Sequence, residues 1–110
     1  MLQIKSPITG ERLQVAENDF EEIMNWEQAK NACNYLGNGW RLPTKSELEV
    51  MHKEIYKIGK GNFNNYFYWS STEVHNNNAW HVCFVDGIPS FVEESDRDNS
   101  SFYVRAVRAI

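Results

Sequence analysis

The chain is expected to fold as one α+β domain over residues 1–110. Two doubly capped amphipathic helices come first, and the apolar spacing then switches from helical to alternating. The length of 110 residues suits one hydrophobic core and leaves little for a second.

The elements follow in order. Leu2-Gln3-Ile4 and Leu13-Gln14-Val15 are short apolar pieces separated by a Pro7…Gly10 turn signal, which suits two brief edge strands. Asn25 is a good helix N-cap, and Gln28 three residues later completes a capping box. Trp26, Ala29, Ala32, Cys33 and Leu36 then recur on one helical face, with Glu27, Lys30 and Asn34 on the solvated side. Gly37 stops the helix, because glycine takes the left-handed conformation that a C-terminus favours. Pro43 precedes a second helix, capped by Thr44 and closed by Glu47. Its inner stripe is Leu48, Met51 and Ile55, with Val50 and His52 beside it, and His52 reads as a packing residue.

From Asn62 onward the residues alternate. Segments 66–72, 79–85, 88–92 and 102–109 read as strands rich in aromatic and β-branched side chains. Asp86-Gly87 predicts a type I′ hairpin with positive φ at both residues. Alternation puts Trp80, Val82 and Phe84 on the face expected to meet the core, and His81 and Cys83 on the other.

Composition excludes several functions. The net charge is −4 and no run of Lys or Arg occurs, so the basic face that nucleic-acid binding needs is missing. No apolar stretch approaches the ~20 residues of a membrane span. The opening residues from Met1 to Pro7 lack a long apolar region, so no signal peptide is expected in this chain. Cys33 and Cys83 lack the CxxC spacing and read as two reduced, packed thiols. Aromatics make up 14% of the residues, enough to fill a core or to stack on a ligand.

Trp40-Arg41-Leu42-Pro43-Thr44 followed by Glu47-Leu48 resembles the signature of the DUF1566 family, bacterial domains of C-type-lectin-like fold. The same segment is distantly similar to formylglycine-generating and sulfatase-modifying-factor domains. Trp26, Ala29, Cys33, Leu36 and Gly39 extend the match upstream. Downstream it runs through Tyr68-Trp69-Ser70-Ser71-Thr72, Ala79-Trp80, Phe84, Gly87 and Val104-Arg105-Ala106-Val107-Arg108, so that it is strongest over residues 25–110. The resemblance implies two helices flanking a twisted antiparallel sheet, with the N- and C-terminal strands adjacent. It also implies an exported or surface-associated setting, and no single activity, since one fold hosts many functions. Family members commonly carry a cysteine where this chain has Ala106, so Cys33 lacks its usual partner. The acidic and asparagine triplets of calcium-dependent sugar-binding lectins are absent, as is the cysteine pair of the formylglycine-generating enzymes.

Trp26, Trp40, Arg41, Glu47, Trp80 and Arg105 are expected to be structural, with Arg41 clamped on Glu47 or on carbonyls. In segment 68–72, hydroxyls alternate with aromatics. One reading lines a polar surface with Trp69 and Ser71 and stacks Trp69 on a ligand ring; the other packs Trp69 in the core. The polar loop His75, Asn76, Asn77 and Asn78 suits ligand recognition. The acidic segment 93–99, with Asp96 and Asp98, has the oxygen chemistry for calcium but lacks EF-hand spacing and glycine. No other cofactor is implied, because His81 and Cys83 have no second ligand pair for zinc and no serine-hydrolase spacing occurs. The expected function is therefore a non-enzymatic binding or interaction domain for a glycan or protein partner. The alternatives are a degenerate relative of the formylglycine-generating enzymes and a purely structural module.

Overall fold

The computed structural model describes residues 1–74 and 78–110. It is a mixed α+β fold with two helices and two small antiparallel sheets, where the sequence predicted a single sheet. The first sheet has the order β1-β2-β6, from strands Leu2–Lys5, Arg12–Val15 and Val107–Ala109. The second has the order β3-β4-β5, from Phe67–Val74, Asn78–Cys83 and Pro89–Val92. Helix α1 spans Trp26–Tyr35 and α2 spans Lys45–Glu54; a 3-10 turn, Tyr56–Ile58, follows α2, and a short helix α3, Glu94–Arg97, precedes the last segment.

Both predicted capping boxes are present. The Asn25 side chain accepts from Gln28 N at 2.9 Å while Gln28 accepts from Asn25 N at 3.0 Å. Thr44 accepts from Glu47 N at 3.2 Å and Glu47 accepts from Thr44 N at 2.8 Å. The inner stripe of α1 stops a turn early: Trp26, Ala29 and Cys33 are buried, but Leu36 is 47% exposed.

The core has two halves. Leu48, Met51 and Ile55 of the α2 region meet Ile4, Leu13, Val15 and Val107 of the first sheet and Tyr68, Val82 and Phe84 of the second. Trp26, Ala29 and Cys33 of α1 meet Leu42, Trp69, Ala79, Val104 and Ala106. Neighbours Tyr68 and Trp69 thus point into opposite halves, and the second sheet is covered on both faces.

That double cover corrects the expectation for β4. Val82 and Phe84 are buried as predicted, but His81 on the other face is also buried, against Phe67, Trp69 and Phe102. Trp80 is only partly buried, beneath Lys45 at 4.5 Å and edge-on to its cross-strand partner Phe91 at 5.2 Å. It lies by the first residue of α2, where the core-facing residues of the helix have not yet begun.

Three further expectations change. The final segment pairs as a strand only over Val107–Ala109, with Phe102 and Tyr103 making isolated bridges to Met24 and Tyr68. Its neighbour is β2, so one strand separates β6 from β1. In the β4–β5 turn only Gly87 has positive φ, at 76°, so the turn is not type I′. Glycine is needed there twice over, because a Cβ would stand 2.5 Å from Nδ1 of the buried His52. His52 itself is a packing residue, stacked on Tyr56, with Nε2 3.1 Å from the Phe84 carbonyl.

Candidate functional site

The site grows from an irregularity in β3. Trp69 pairs with His81 and Glu73 with Ala79, so residues 70–72 oppose Trp80 alone. Such a bulge bends its strand and frees polar groups for other partners. Here the partners come from three directions. The Ser70 hydroxyl donates to the Trp80 carbonyl at 2.7 Å and accepts from Thr72 N at 3.1 Å. The Ser70 carbonyl accepts from Trp26 Nε1 at 2.9 Å, which fixes α1. Ser71 N donates to the Pro43 carbonyl at 2.7 Å, and Thr72 Oγ1 accepts from Lys45 N at 2.9 Å, which together fix the start of α2.

Above this hub lies a cleft of ≈160 Å³, lined by Lys30, Asn34, Arg41, Leu42 and Ser71. Lys30 and Asn34 stand one helical turn apart on α1, and Lys30 Nζ rests 4.2 Å over the Trp26 ring. Arg41 donates from Nη1 and Nη2 to the two oxygens of Glu47, at 2.7 and 2.9 Å. Glu47 is 5% exposed at its side chain and Arg41 40%. Burial alone would raise the Glu47 carboxyl, but hydrogen bonds from Arg41 and the Thr44 backbone outweigh it and hold it below its ordinary range. The hydrogen bond to Glu47 raises Arg41 against its own burial, and the charges of Glu47 and the more distant Glu11 add to the rise.

The acidic segment reaches Trp26 as well. Arg97 of α3 stacks on Trp26 at 4.2 Å and pairs with Glu73 of β3 at 3.1 Å. Two cations thus share one indole. Asp96 and Asp98 are exposed, and no group of three His, Cys, Asp or Glu among the described residues is placed to hold a metal ion.

Of the residues singled out in the sequence, Ser71 lines the cleft and Asn78 opens β4 opposite Val74. His75, Asn76 and Asn77 lie outside the described residues. Trp69 is 0% exposed and donates from Nε1 to the Met24 carbonyl at 2.8 Å, so no face is left for a ligand. Trp40 lies under the Arg108 guanidinium at 4.6 Å. Sequence reasoning missed Lys30 and Asn34, which it assigned to the solvated face of α1. Their i, i+4 spacing beside Trp26 was the available signal.

A second polar cluster sits deeper. Arg105, 0% exposed, donates from Nε to Asp19 Oδ1 at 2.7 Å and from its terminal nitrogens to the carbonyls of Ala16 and Gly61, at 2.9 and 2.7 Å. Asp19 Oδ2 accepts from the Tyr68 hydroxyl at 2.6 Å and from Asn64 Nδ2 at 2.9 Å. Burial, then the hydrogen bond and charge of Asp19, push the Tyr68 hydroxyl upward, so it stays a donor. Asp19 and the exposed Leu36 also border a shallow hollow of ≈190 Å³ with Ala16, Asn18, Phe20 and Ala106. The polar atoms of Arg105, Asp19 and the Tyr68 hydroxyl all have protein partners, so this cluster holds the fold.

Comparison with known proteins adds three findings. A family model described as the Lcl C-terminal domain, a DUF1566-type family, matches residues 9–108, taking in most of the N-terminal segment that the motifs left aside. No curated protein matches the chain. Among solved structures, it is similar to a chain of the complex between a mutant von Willebrand factor A1 domain and botrocetin. The TM-score is 0.54 at 11% identity, over 96% of this chain and 95% of that one, a likeness of fold alone.

Proposed function

This chain belongs to the Lcl C-terminal domain family, and from that membership we propose that it is a non-enzymatic binding domain whose site is the cleft beside the β3 bulge. The reading takes the fold as C-type-lectin-like, with a glycan or a protein at a bacterial surface as ligand. The observation that carries it is the convergence at Ser71: a bulge held by five hydrogen bonds opens onto a cleft whose polar lining is an amine, a guanidinium, an amide and a hydroxyl. Rigid elements that present a few convergent polar groups are what recognition needs. The Lys30 and Arg41 side chains are already ordered by Trp26 and Glu47, so little side-chain freedom remains to be lost on binding.

The test is a glycan array and a surface-protein binding screen on the purified domain, each with and without calcium. The same screens are run on Ser71→Trp, which fills the cleft. Ligands retained by the parent and lost by the variant are expected, with calcium making no difference. Ligands that bind both equally would put the site elsewhere.

A further inference from the structure

We infer that the cleft recognises a single carboxylate group of its ligand, gripped by the unused edge of the Arg41 guanidinium and by Lys30. The inference rests on the cleft being the binding site. Arg41 spends Nη1 and Nη2 on Glu47, with Nη1 also 3.4 Å from the Leu42 carbonyl. That is one edge of the planar fork. The other edge, Nε–H and the second Nη2–H, makes no hydrogen bond among the described residues and belongs to a side chain 40% exposed in the cleft wall. A guanidinium locked on one edge by a buried carboxylate is aimed on its other edge, and that edge matches the two oxygens of a second carboxylate.

The charges agree. Glu47 offsets Arg41 and Glu73 offsets Arg97, while Lys30 makes no ion pair among the described residues and is held in place over Trp26. Glu11 is exposed, and its effect on Arg41 is the smallest of those acting on it. One surplus positive charge suits a singly charged anion; a phosphate monoester, with close to two charges, would leave one unmatched. Asn34 and Ser71 supply neutral groups for what adjoins the carboxylate, and Leu42 supplies an apolar wall.

Chemical-shift titration of the 15N-labelled domain tests this with four probes: sodium glucuronate, N-acetyl-alanine, glucose and methyl sulfate. Both carboxylates should move the amide signals of Lys30, Asn34 and Ser71 and the Arg41 Nε–H signal, while glucose leaves them in place. Tighter binding of glucuronate marks a sugar acid as the source, and tighter N-acetyl-alanine marks a peptide end. Lys30→Gln should weaken the bound carboxylate about fivefold, as for loss of one partly exposed ion pair, with an unchanged far-ultraviolet spectrum. Arg41→Lys, which keeps the charge and loses the fork, should weaken it as well. Methyl sulfate binding as tightly as the carboxylates, or glucose moving the same signals, would overturn the carboxylate assignment while leaving the cleft as the site. Shifts absent from the cleft with all four probes would overturn the inference even if the array finds ligands.

Discussion

Arg105 and Asp19, 86 residues apart in the chain, meet at 2.7 Å, with side-chain exposures of 0% and 8%. The pair ties the segment before α1 to the segment before β6, and Tyr68 joins it from the second sheet. Asp19→Ala would strand a buried guanidinium and should cost about 3–5 kcal/mol. Asp19→Ala combined with Arg105→Met should cost less than Asp19→Ala alone, because no unpaired charge then remains. Urea denaturation midpoints of the two variants check the order.

The Thr44 capping box should report on the start of α2. Thr44→Ala removes the acceptor of the Glu47 N–H and should cost about 0.5–2 kcal/mol. Glu47→Ala should cost more, since Glu47 also accepts from Thr44 N and from both terminal nitrogens of Arg41. An unchanged midpoint for Thr44→Ala would mean that the helix draws nothing from the cap.

Acid should weaken the fold through His81. Its Nδ1 has no partner among the described residues, and burial pushes the imidazole down to about 4 from its ordinary 6.5. Below pH 6.5 the unfolded chain takes up a proton that the folded chain refuses until about pH 4. The His81 contribution is therefore intact above pH 6.5 and lost as the pH falls toward 4, up to about 3 kcal/mol. His81→Phe should flatten the stability profile between pH 6.5 and 5. The Glu47 contribution, from a lowered carboxyl, is lost only at lower pH and persists in that variant.

The two cysteines are free. Cys33 is 0% exposed and burial lifts its thiol to about 12, whereas Cys83 is partly exposed. Alkylation under denaturing conditions without reductant should give two adducts by mass. On the folded protein Cys83 should react first, with Cys33 following only as the chain opens. A two-dalton loss with no adducts would reveal a bridge.

What the sequence disclosed followed the range of the interaction. Caps act over three residues and the Arg41–Glu47 clamp over six, so both were legible from spacing. The Asp19–Arg105 pair leaves no local trace, and Asp19 sat in a stretch that no motif marked. In β4, alternation sorted Val82 and Phe84 from His81 but could not say that α1 would cover the second face. The bulge at residues 70–72 is a property of pairing with Trp80, invisible in one strand alone. That is why segment 68–72 left two readings of Trp69 open, and the structure takes the one that packs it in the core.

The order of the first sheet has a consequence for how such a domain can be mounted. Leu2, Val15 and Val107 stand in one row and Ile4, Leu13 and Ala109 in the next, so the entering and leaving strands run parallel with β2 between them. They are separated by about 10 Å, two strand spacings. Met1 lies by Glu17 and Ile110 by Arg12, at opposite ends of β2, so a linker of about ten residues would join the ends across the sheet, and cutting the chain at the exposed turn that contains Gly10 should yield a circular permutant with the same fold. By the same geometry the domain can be spliced between two host segments held about 20 Å apart, the length of a strand, and not into the tip of a tight hairpin.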